Sequence, residues 1–177
     1  IVISPQQFKE IHSEVGIGKE EQFAIIRLGI DLESYSPSEA KRSEFRRELA
    51  VADIELLVGF VGRLTEVKNV SLLLQVIELY SKVNDHPKAK FVIVGDGHLR
   101  EGLESEARER GIENDVHFLG NREDVDKIYA GLDVVALTSL NEGTPLSLIE
   151  AMASRRAVIS TSVGGVVDLL GKTNETH

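Results

Sequence analysis

Short apolar runs alternate with longer amphipathic runs along this chain of 177 residues. The short runs are rich in Val and Ile and mostly apolar throughout, which is typical of strands that are covered on both faces of a parallel sheet. We predict six strands, at residues 23–27, 56–61, 90–94, 116–118, 134–137 and 158–161.

The longer runs carry apolar residues at helical spacing. They predict helices at residues 38–49, 70–83, 99–111, 123–131, 146–154 and 166–170, with Ser38 as the N-cap of the first. Strands that alternate with helices in this way indicate an α/β fold: a Rossmann-like parallel sheet with helices on both faces.

The first twenty residues differ from this repeating pattern. Residues 1–4 are predicted as a strand and residues 6–15 as a helix, and Gly16 and Gly18 then precede the first strand of the main domain. We interpret residues 1–20 as a lead-in from a missing N-terminal domain, and residues 21–177 as one domain.

Charge and composition limit the classes of partner that this domain can bind. The formal net charge is −9, aromatic residues make up 5% and Trp is absent, so no nucleic-acid partner is expected. The absence of Cys excludes disulfides and cysteine metal sites, and it fits a cytoplasmic location. No apolar run is long enough to span a bilayer, and the N-terminus does not resemble a signal peptide. An anionic small ligand needs only a few local donors and stays compatible with the negative charge.

Ligands of such sheets bind beyond the carboxyl ends of the strands. After the strand at 56–61, Gly62 permits close backbone approach, and Arg63 and Lys68 offer two cations that suit a phosphate. The alternative is a turn with two solvated charges. After the next strand, Gly95 and Gly97 begin a glycine loop, but the following glycine is Gly102 and a G-x-G-x-x-G fingerprint is not satisfied.

The segment 138–152 is the richest in candidate chemistry. Thr144 is predicted as an N-cap and Pro145 as the first helical residue, so Glu142 and Gly143 would lie in front of a helix N-terminus that suits an anion. Glu142 would accept hydrogen bonds from hydroxyls of the same ligand; the alternative is a plain capped helix. Glu150 follows within an apolar helix, where a carboxylate requires a partner. That partner would be ribose or sugar hydroxyls, or a neighbouring Lys or Arg.

Glu142 and Glu150 are separated by seven residues, and this E-x7-E spacing resembles that of retaining GT-B glycosyltransferases, in particular glycosyltransferase family 4. Segments around Gly62-Arg63, Gly95-Asp96-Gly97, Phe118-Leu119-Gly120 and Gly164-Gly165 match the same family in the same order. The resemblance extends from about residue 23 to 170. It implies one half of a GT-B fold, namely the C-terminal, donor-binding domain.

The resemblance also implies roles for individual residues. Three residues would be catalytic: Arg63 and Lys68 would neutralise the donor diphosphate and the departing nucleotide, and Glu142 would contact hydroxyls of the sugar. Glu150 would bind the ribose hydroxyls. The remaining donor contacts would come from Gly62, Gly95, Phe118, Leu119, Gly120, Asn121, Gly143, Thr144, Pro145 and Leu146, with residues 118–121 at the base.

The implied activity is that of a hexosyltransferase that uses an NDP-sugar, with UDP as the expected nucleotide, and needs no metal or cofactor. A glycan or lipid-linked acceptor, and any peripheral membrane contact, would involve the missing N-terminal domain, so this chain alone would be inactive. The alternatives are a sugar-nucleotide epimerase of the same architecture and a non-catalytic nucleotide-sugar-binding domain. One departure from the family lies at Ser154-Arg155-Arg156-Ala157, where Gly-x-Pro is usual.

Overall fold

The computed structural model describes residues 1–171, and residues 172–177 of the predicted domain lie outside the described residues. Five parallel strands form one sheet in the order β3-β2-β1-β4-β5. Their bounds are Leu56–Val61 (β1), Ala89–Val94 (β2), Val116–Gly120 (β3), Val134–Leu137 (β4) and Ala157–Ser160 (β5). These strands agree with five of the six predicted ones to within two residues.

Helices connect the strands and lie on both faces of the sheet, as the alternating pattern predicts. They are Glu39–Glu48 (α2), Val70–Lys82 (α3), Arg100–Glu109 (α4), Val125–Gly131 (α5), Leu146–Ala153 (α6) and Gly165–Leu170 (α7), after the short helix Pro5–Phe8 (α1). Ser38 caps α2 as predicted, because its hydroxyl accepts a hydrogen bond from the backbone N–H of Lys41. None of the helices described in residues 1–171 has the length and apolar character needed to cross a bilayer.

The strands predicted at residues 1–4 and 23–27 are wrong. Only a single parallel bridge joins Val2 to Ile25, and no ladder extends from it. The helix predicted at residues 6–15 is split into α1 and a π-helical turn, Lys9–Glu14. The segment still contacts the main domain, because the backbone N–H of Gln6 donates to Asp168 on α7. Its origin in a preceding domain stays a prediction.

The core lies on both faces of the central strands. Side chains at alternate positions of β1, such as Leu57, and neighbouring positions of β2, such as Val92 and Ile93, are fully buried. Burial on both faces explains why these runs are apolar throughout instead of alternating with polar residues. The polar groups that organise the domain lie mainly at the two ends of the strands.

Asp133 organises the edge at which the strands begin. Its carboxylate accepts from the backbone N–H of Leu57 at 2.8 Å, from Arg42 at 2.7 Å and from Arg46 at 2.9 Å. The Arg46 side chain is only 2% exposed, and it also donates to two carbonyls of the connection that leads into β1. Burial opposes ionisation of Asp133, but the Leu57 N–H and the two arginines outweigh it and lower its pKa.

Strand β5 forms one margin of the sheet. It pairs with β4 on one side, and within residues 1–171 no strand pairs with it on the other. Ala157 and Ile159 are exposed on this strand, and the Ile159 side chain is 63% exposed.

The turn between α6 and β5 contains the departure from the family pattern. Arg155 has a φ of +56°, in the left-handed region that glycine adopts most easily, and it occupies the position where glycine is usual. The next residue, Arg156, donates its backbone N–H to Ala151 and its guanidinium to the carbonyl of Leu132. The turn therefore holds a residue with a Cβ in the left-handed backbone conformation.

We expect Arg155→Gly to raise the free energy of unfolding by about 0.5–1 kcal/mol. Relief of a left-handed residue contributes roughly 1–2 kcal/mol, and the greater freedom of glycine in the unfolded chain offsets part of it. Urea unfolding measures the change. Arg155→Ala is the control, since it keeps a Cβ and should change stability by less than about 0.5 kcal/mol. An equal gain in both variants would mean that charge repulsion, and not backbone strain, limits this turn.

Candidate donor-binding site

The loops that follow β1 and β2 meet at the carboxyl edge of the sheet. The backbone N–H of Gly62 donates to Val94 at 3.0 Å, and that of Gly95 donates to Gly120 at 2.8 Å. Gly95 has a φ of +125°, and a Cβ there would lie 1.9 Å from the carbonyl oxygen of Gly62. Glycine is therefore required at residue 95 for the approach of the two loops.

A second close approach joins the loops that follow β4 and β5. The backbone N–H of Gly165 donates to the carbonyl of Glu142 at 2.7 Å, and a Cβ on Gly165 would lie 1.6 Å from the carbonyl oxygen of Gly143. Gly164 and Gly165 both pack against the loop that carries Glu142, so they hold that loop in position.

Glu142 is held by two donors from different parts of the chain. Its Oε1 accepts from Lys68 Nζ and from Ser139 Oγ, each at 2.5 Å, and its side chain is 8% exposed. Ser139 is buried, and its own carbonyl accepts from the hydroxyl of Thr161 at 2.6 Å. Glu142 Oε2 forms no hydrogen bond within residues 1–171, so one oxygen of the carboxylate stays available to a further donor.

Sequence reasoning placed Lys68 and Glu142 in separate roles, whereas the structure brings them together as an ion pair. It did not identify Ser139, although a small hydroxyl residue three positions before Glu142 is a signal for such a contact. Lys68 also passes close to Gly62, where a Cβ would lie 3.9 Å from its Cε. The predicted residues after β1 and β4 therefore share one site.

In the described part of the chain, Arg63 is an unpaired cation at this edge, as is Arg27 beside the loop that carries Gly143. The Arg63 side chain is exposed, and within residues 1–171 no carboxylate pairs with it. It borders a shallow cleft of about 210 Å³ together with the backbone of Gly62 and Gly95 and with Asn121 and Arg122. Asp96, which pairs with Arg100, and three valines also border this cleft. A cation without a protein partner is suited to an anionic group of a ligand.

Arg122 borders the same cleft but is already neutralised. It donates to Asp124 and Glu48, and these two carboxylates raise its pKa above the ordinary value. Sequence reasoning did not select Arg122, and its position directly after Asn121 was the available signal. Its planar guanidinium is thereby held in a fixed orientation between α2 and α5.

The predicted base-binding segment is divided between two surfaces. Asn121 borders the cleft of Arg63, but Phe118 packs against the core and borders a different cleft next to α4. Leu119 is half-buried, and Gly120 is buried with a φ of +68°. Only the end of the segment is therefore close to the cations.

The start of α6 differs from the prediction by one residue. Pro145 is the N-cap and has a non-helical ψ of 80°, so the helix begins at Leu146 and Thr144 precedes the cap. Gly143, Thr144 and Pro145 border a second cleft, of about 150 Å³, whose other wall includes Ile3 and Arg27. Leu146 itself is 40% exposed. The N-terminal segment therefore lies beside the loop that carries Glu142.

Glu150 accepts hydrogen bonds from two tyrosines, and within residues 1–171 no Lys or Arg forms an ion pair with it. Its Oε1 accepts from Tyr35 Oη at 3.1 Å and its Oε2 from Tyr129 Oη at 2.8 Å. The rings of the two tyrosines pack edge to face with centroids 5.7 Å apart. Burial and the charge of Glu150 raise the pKa of Tyr35 to about 12 and raise that of Tyr129 further, so both phenols stay protonated donors.

The chain also has counterparts among known proteins. A family model described as glycosyl transferases group 1 matches residues 41–176. The chain belongs to this glycosyltransferase family.

Relatives with curated names are also glycosyltransferases. The D-inositol 3-phosphate glycosyltransferase of Corynebacterium urealyticum is 34% identical over 155 residues, which cover 82% of this chain and 36% of that protein. An N-acetyl-D-galactosaminyltransferase of Campylobacter jejuni, named for an undecaprenol-linked acceptor, is 41% identical over 117 residues, which cover 66% of this chain and 32% of that protein. The chain thus spans about a third of the length of these relatives.

A solved structure shares the fold. HepE of Anabaena, solved in complex with UDP and glucose and also with UDP-glucose, superposes with a TM-score of 0.83 and 28% identity. The superposition covers 95% of this chain and 46% of HepE. The predicted architecture, one Rossmann-like half of a GT-B fold, is therefore confirmed.

In this glycosyltransferase domain, we expect Gly165→Ala to lower the free energy of unfolding by about 2–3 kcal/mol. A Cβ cannot be accommodated 1.6 Å from the carbonyl oxygen of Gly143, so the two loops would have to separate. Urea unfolding measures the loss. Gly102→Ala is the matched control: a Cβ there meets nothing within 4 Å inside α4, and the substitution should stabilise the helix by up to about 1 kcal/mol. Wild-type stability of Gly165→Ala would show that this approach is not a constraint.

Proposed function

We propose that this chain is the C-terminal, donor-binding domain of a retaining, metal-independent glycosyltransferase that uses an NDP-sugar. The observation that carries the proposal is the contact of Lys68 with Glu142 at the carboxyl edge of the sheet, with the unpaired Arg63 next to Gly62 in the neighbouring cleft. Cations would bind the diphosphate of the donor, and a carboxylate would accept hydrogen bonds from its sugar hydroxyls. Both parts of one ligand would therefore find partners in adjacent positions.

The diphosphate part of the donor would be held by Arg63 and Lys68. Arg63 has no protein partner in residues 1–171 to give up, and Lys68 would share its charge between Glu142 and a phosphate oxygen. As the bond to the sugar breaks, negative charge grows on the departing diphosphate, and positioned cations stabilise that charge. This electrostatic role would need no metal.

The sugar would be recognised by Glu142. Its Oε1 is fixed by Lys68 and Ser139, and its Oε2 is free to accept from a sugar hydroxyl. Glu150 lies four residues beyond the start of α6, about 6 Å along the helix axis at the usual rise per residue, and would accept from the ribose hydroxyls. The residues at 118–121 would complete the site at the base, with Asn121 nearest to the cations.

UDP is the nucleotide we favour, because HepE is described in complex with UDP-glucose and because an Escherichia coli relative is named as a UDP-galactose-dependent transferase. The relatives' names also favour a hexosyl group and a glycan or lipid-linked acceptor, as in the Campylobacter jejuni enzyme. The acceptor would bind mainly outside residues 21–177. Retention rests on the E-x7-E resemblance, and the anomeric configuration of the product tests it.

Two other functions stay as alternatives. A sugar-nucleotide epimerase of the same architecture would release a changed sugar and would not transfer it to an acceptor. A non-catalytic binding domain would bind the donor without turnover. Product analysis with the complete natural protein separates all three, and the glycosyltransferase names of the relatives favour transfer.

The first test of the proposal is ligand binding. We expect UDP and UDP-sugars to bind with micromolar to millimolar affinity, roughly −8 to −4 kcal/mol. Arg63→Ala should weaken UDP binding by about 1.5–3 kcal/mol, the scale of a charge-assisted hydrogen bond, and leave uridine binding nearly unchanged. Calorimetric titration measures both. Arg47→Ala is the matched control, since Arg47 is an exposed arginine on α2 away from this edge. A folded protein that binds no UDP-, GDP- or ADP-linked ligand would overturn the proposal.

The second test separates the two carboxylates. We expect Glu150→Gln to weaken binding of every ribonucleotide, UDP included, because the charged acceptor of the ribose is lost. Glu142→Gln should leave UDP binding intact and weaken only the sugar-bearing donor in the complete protein. Calorimetry with UDP and with UDP-glucose distinguishes these patterns. If both variants bind UDP like the wild type and Glu150→Gln only lowers the melting temperature, Glu150 has a structural role.

A further inference from the structure

Glu150 is an unusual carboxylate because its two protein partners are neutral. Tyr35 comes from the short 3₁₀ helix Glu33–Tyr35, Tyr129 from α5 and Glu150 from α6. The two phenols donate to different oxygens of the carboxylate, so each Glu150 oxygen is held from one side. The edge-to-face packing of the two rings fixes the phenols relative to each other.

This arrangement orients the carboxylate without neutralising it. An ionised carboxylate accepts about four hydrogen bonds, two for each oxygen, and donates none. The phenols occupy one position on each oxygen, and only an additional donor can fill the others. Since no Lys or Arg in residues 1–171 pairs with Glu150, no cation of the described chain competes with that donor. A pair of neighbouring hydroxyls matches two acceptor oxygens held in one plane.

We infer that Tyr35 and Tyr129 are positioning residues that aim both oxygens of Glu150 at the two ribose hydroxyls of the donor nucleotide. The inference rests on the proposed function, in which Glu150 contacts the ribose. It goes further in making selectivity for ribonucleotides over deoxyribonucleotides a property of the tyrosine pair. Tyr129 is fully buried, and Tyr35 is partly exposed at the margin of the domain, so the two differ in how firmly they hold their oxygen.

The experiment compares UDP with 2′,3′-dideoxy-UDP in calorimetric titrations of the complete natural protein. The variants are Tyr35→Phe, Tyr129→Phe and Glu150→Gln, with Tyr80→Phe as the matched control. Tyr80 also loses a hydroxyl that donates a hydrogen bond, but to Pro87 in the connection between α3 and β2. Each tyrosine variant keeps the aromatic ring and removes one oxygen atom, and melting temperatures verify that it folds.

We expect Tyr35→Phe and Tyr129→Phe each to raise the Kd for UDP about 3- to 10-fold, as the loss of one hydrogen bond predicts, while the Kd for dideoxy-UDP stays unchanged. Glu150→Gln should reduce the preference for UDP over dideoxy-UDP further. Tyr80→Phe should leave the Kd of both ligands unchanged.

Three results would overturn the inference. Equal weakening of both ligands by Tyr35→Phe or Tyr129→Phe would assign the tyrosines a structural role. Reduced selectivity in Glu150→Gln with wild-type selectivity in both tyrosine variants would leave the proposed function standing without the positioning role. A folded wild-type protein that binds neither ligand would instead overturn the proposed function, and the inference with it.

Discussion

The carboxylate of Asp133 is the interaction on which the rest of this domain depends. It joins the beginning of β1, through Leu57, to the two arginines of α2 at the edge where the strands start. A buried ion pair gives little net stability when both partners are compared with apolar residues, but removal of one partner leaves an uncompensated charge that costs about 3–5 kcal/mol. The network therefore fixes the relative positions of helix and sheet at one edge. The opposite edge is left to loops that are held mainly by backbone contacts.

Those loops show how much of the site the sequence could predict. The strands and helices followed from periodicity because burial on both faces leaves a local apolar signature. The order of Arg63, Lys68, Glu142 and Glu150 along the chain placed them after the correct strands. The partners of these residues could not be predicted, because Tyr35 and Glu150 are 115 positions apart and Lys68 and Glu142 are 74 apart. The strand predicted at residues 23–27 was wrong for the same reason. A local apolar pattern does not specify whether a neighbouring strand is present to pair with it.

Glu142 and Glu150 are held by different partners, and this difference fits the different roles that we propose for them. Glu142 has a cation and a buried hydroxyl on one oxygen, so its charge is partly balanced before any ligand arrives. Glu150 has two neutral phenols and keeps its charge. A carboxylate next to a departing diphosphate benefits from a nearby cation, since two uncompensated anions would repel each other. A carboxylate that only accepts from hydroxyls gains from staying fully charged.

The exposed margin of β5 has a consequence for handling the domain in isolation. A strand edge with free N–H and C=O groups and an apolar side chain such as Ile159 is a template for pairing with another chain. Proteins usually protect such edges with charges, prolines or a covering segment, and the four residues of β5, Ala157–Ser160, include none of the first two. At high protein concentration, the separate chain would therefore self-associate through this edge. The substitution Ile159→Lys would place a charge on this edge and keep the chain monomeric.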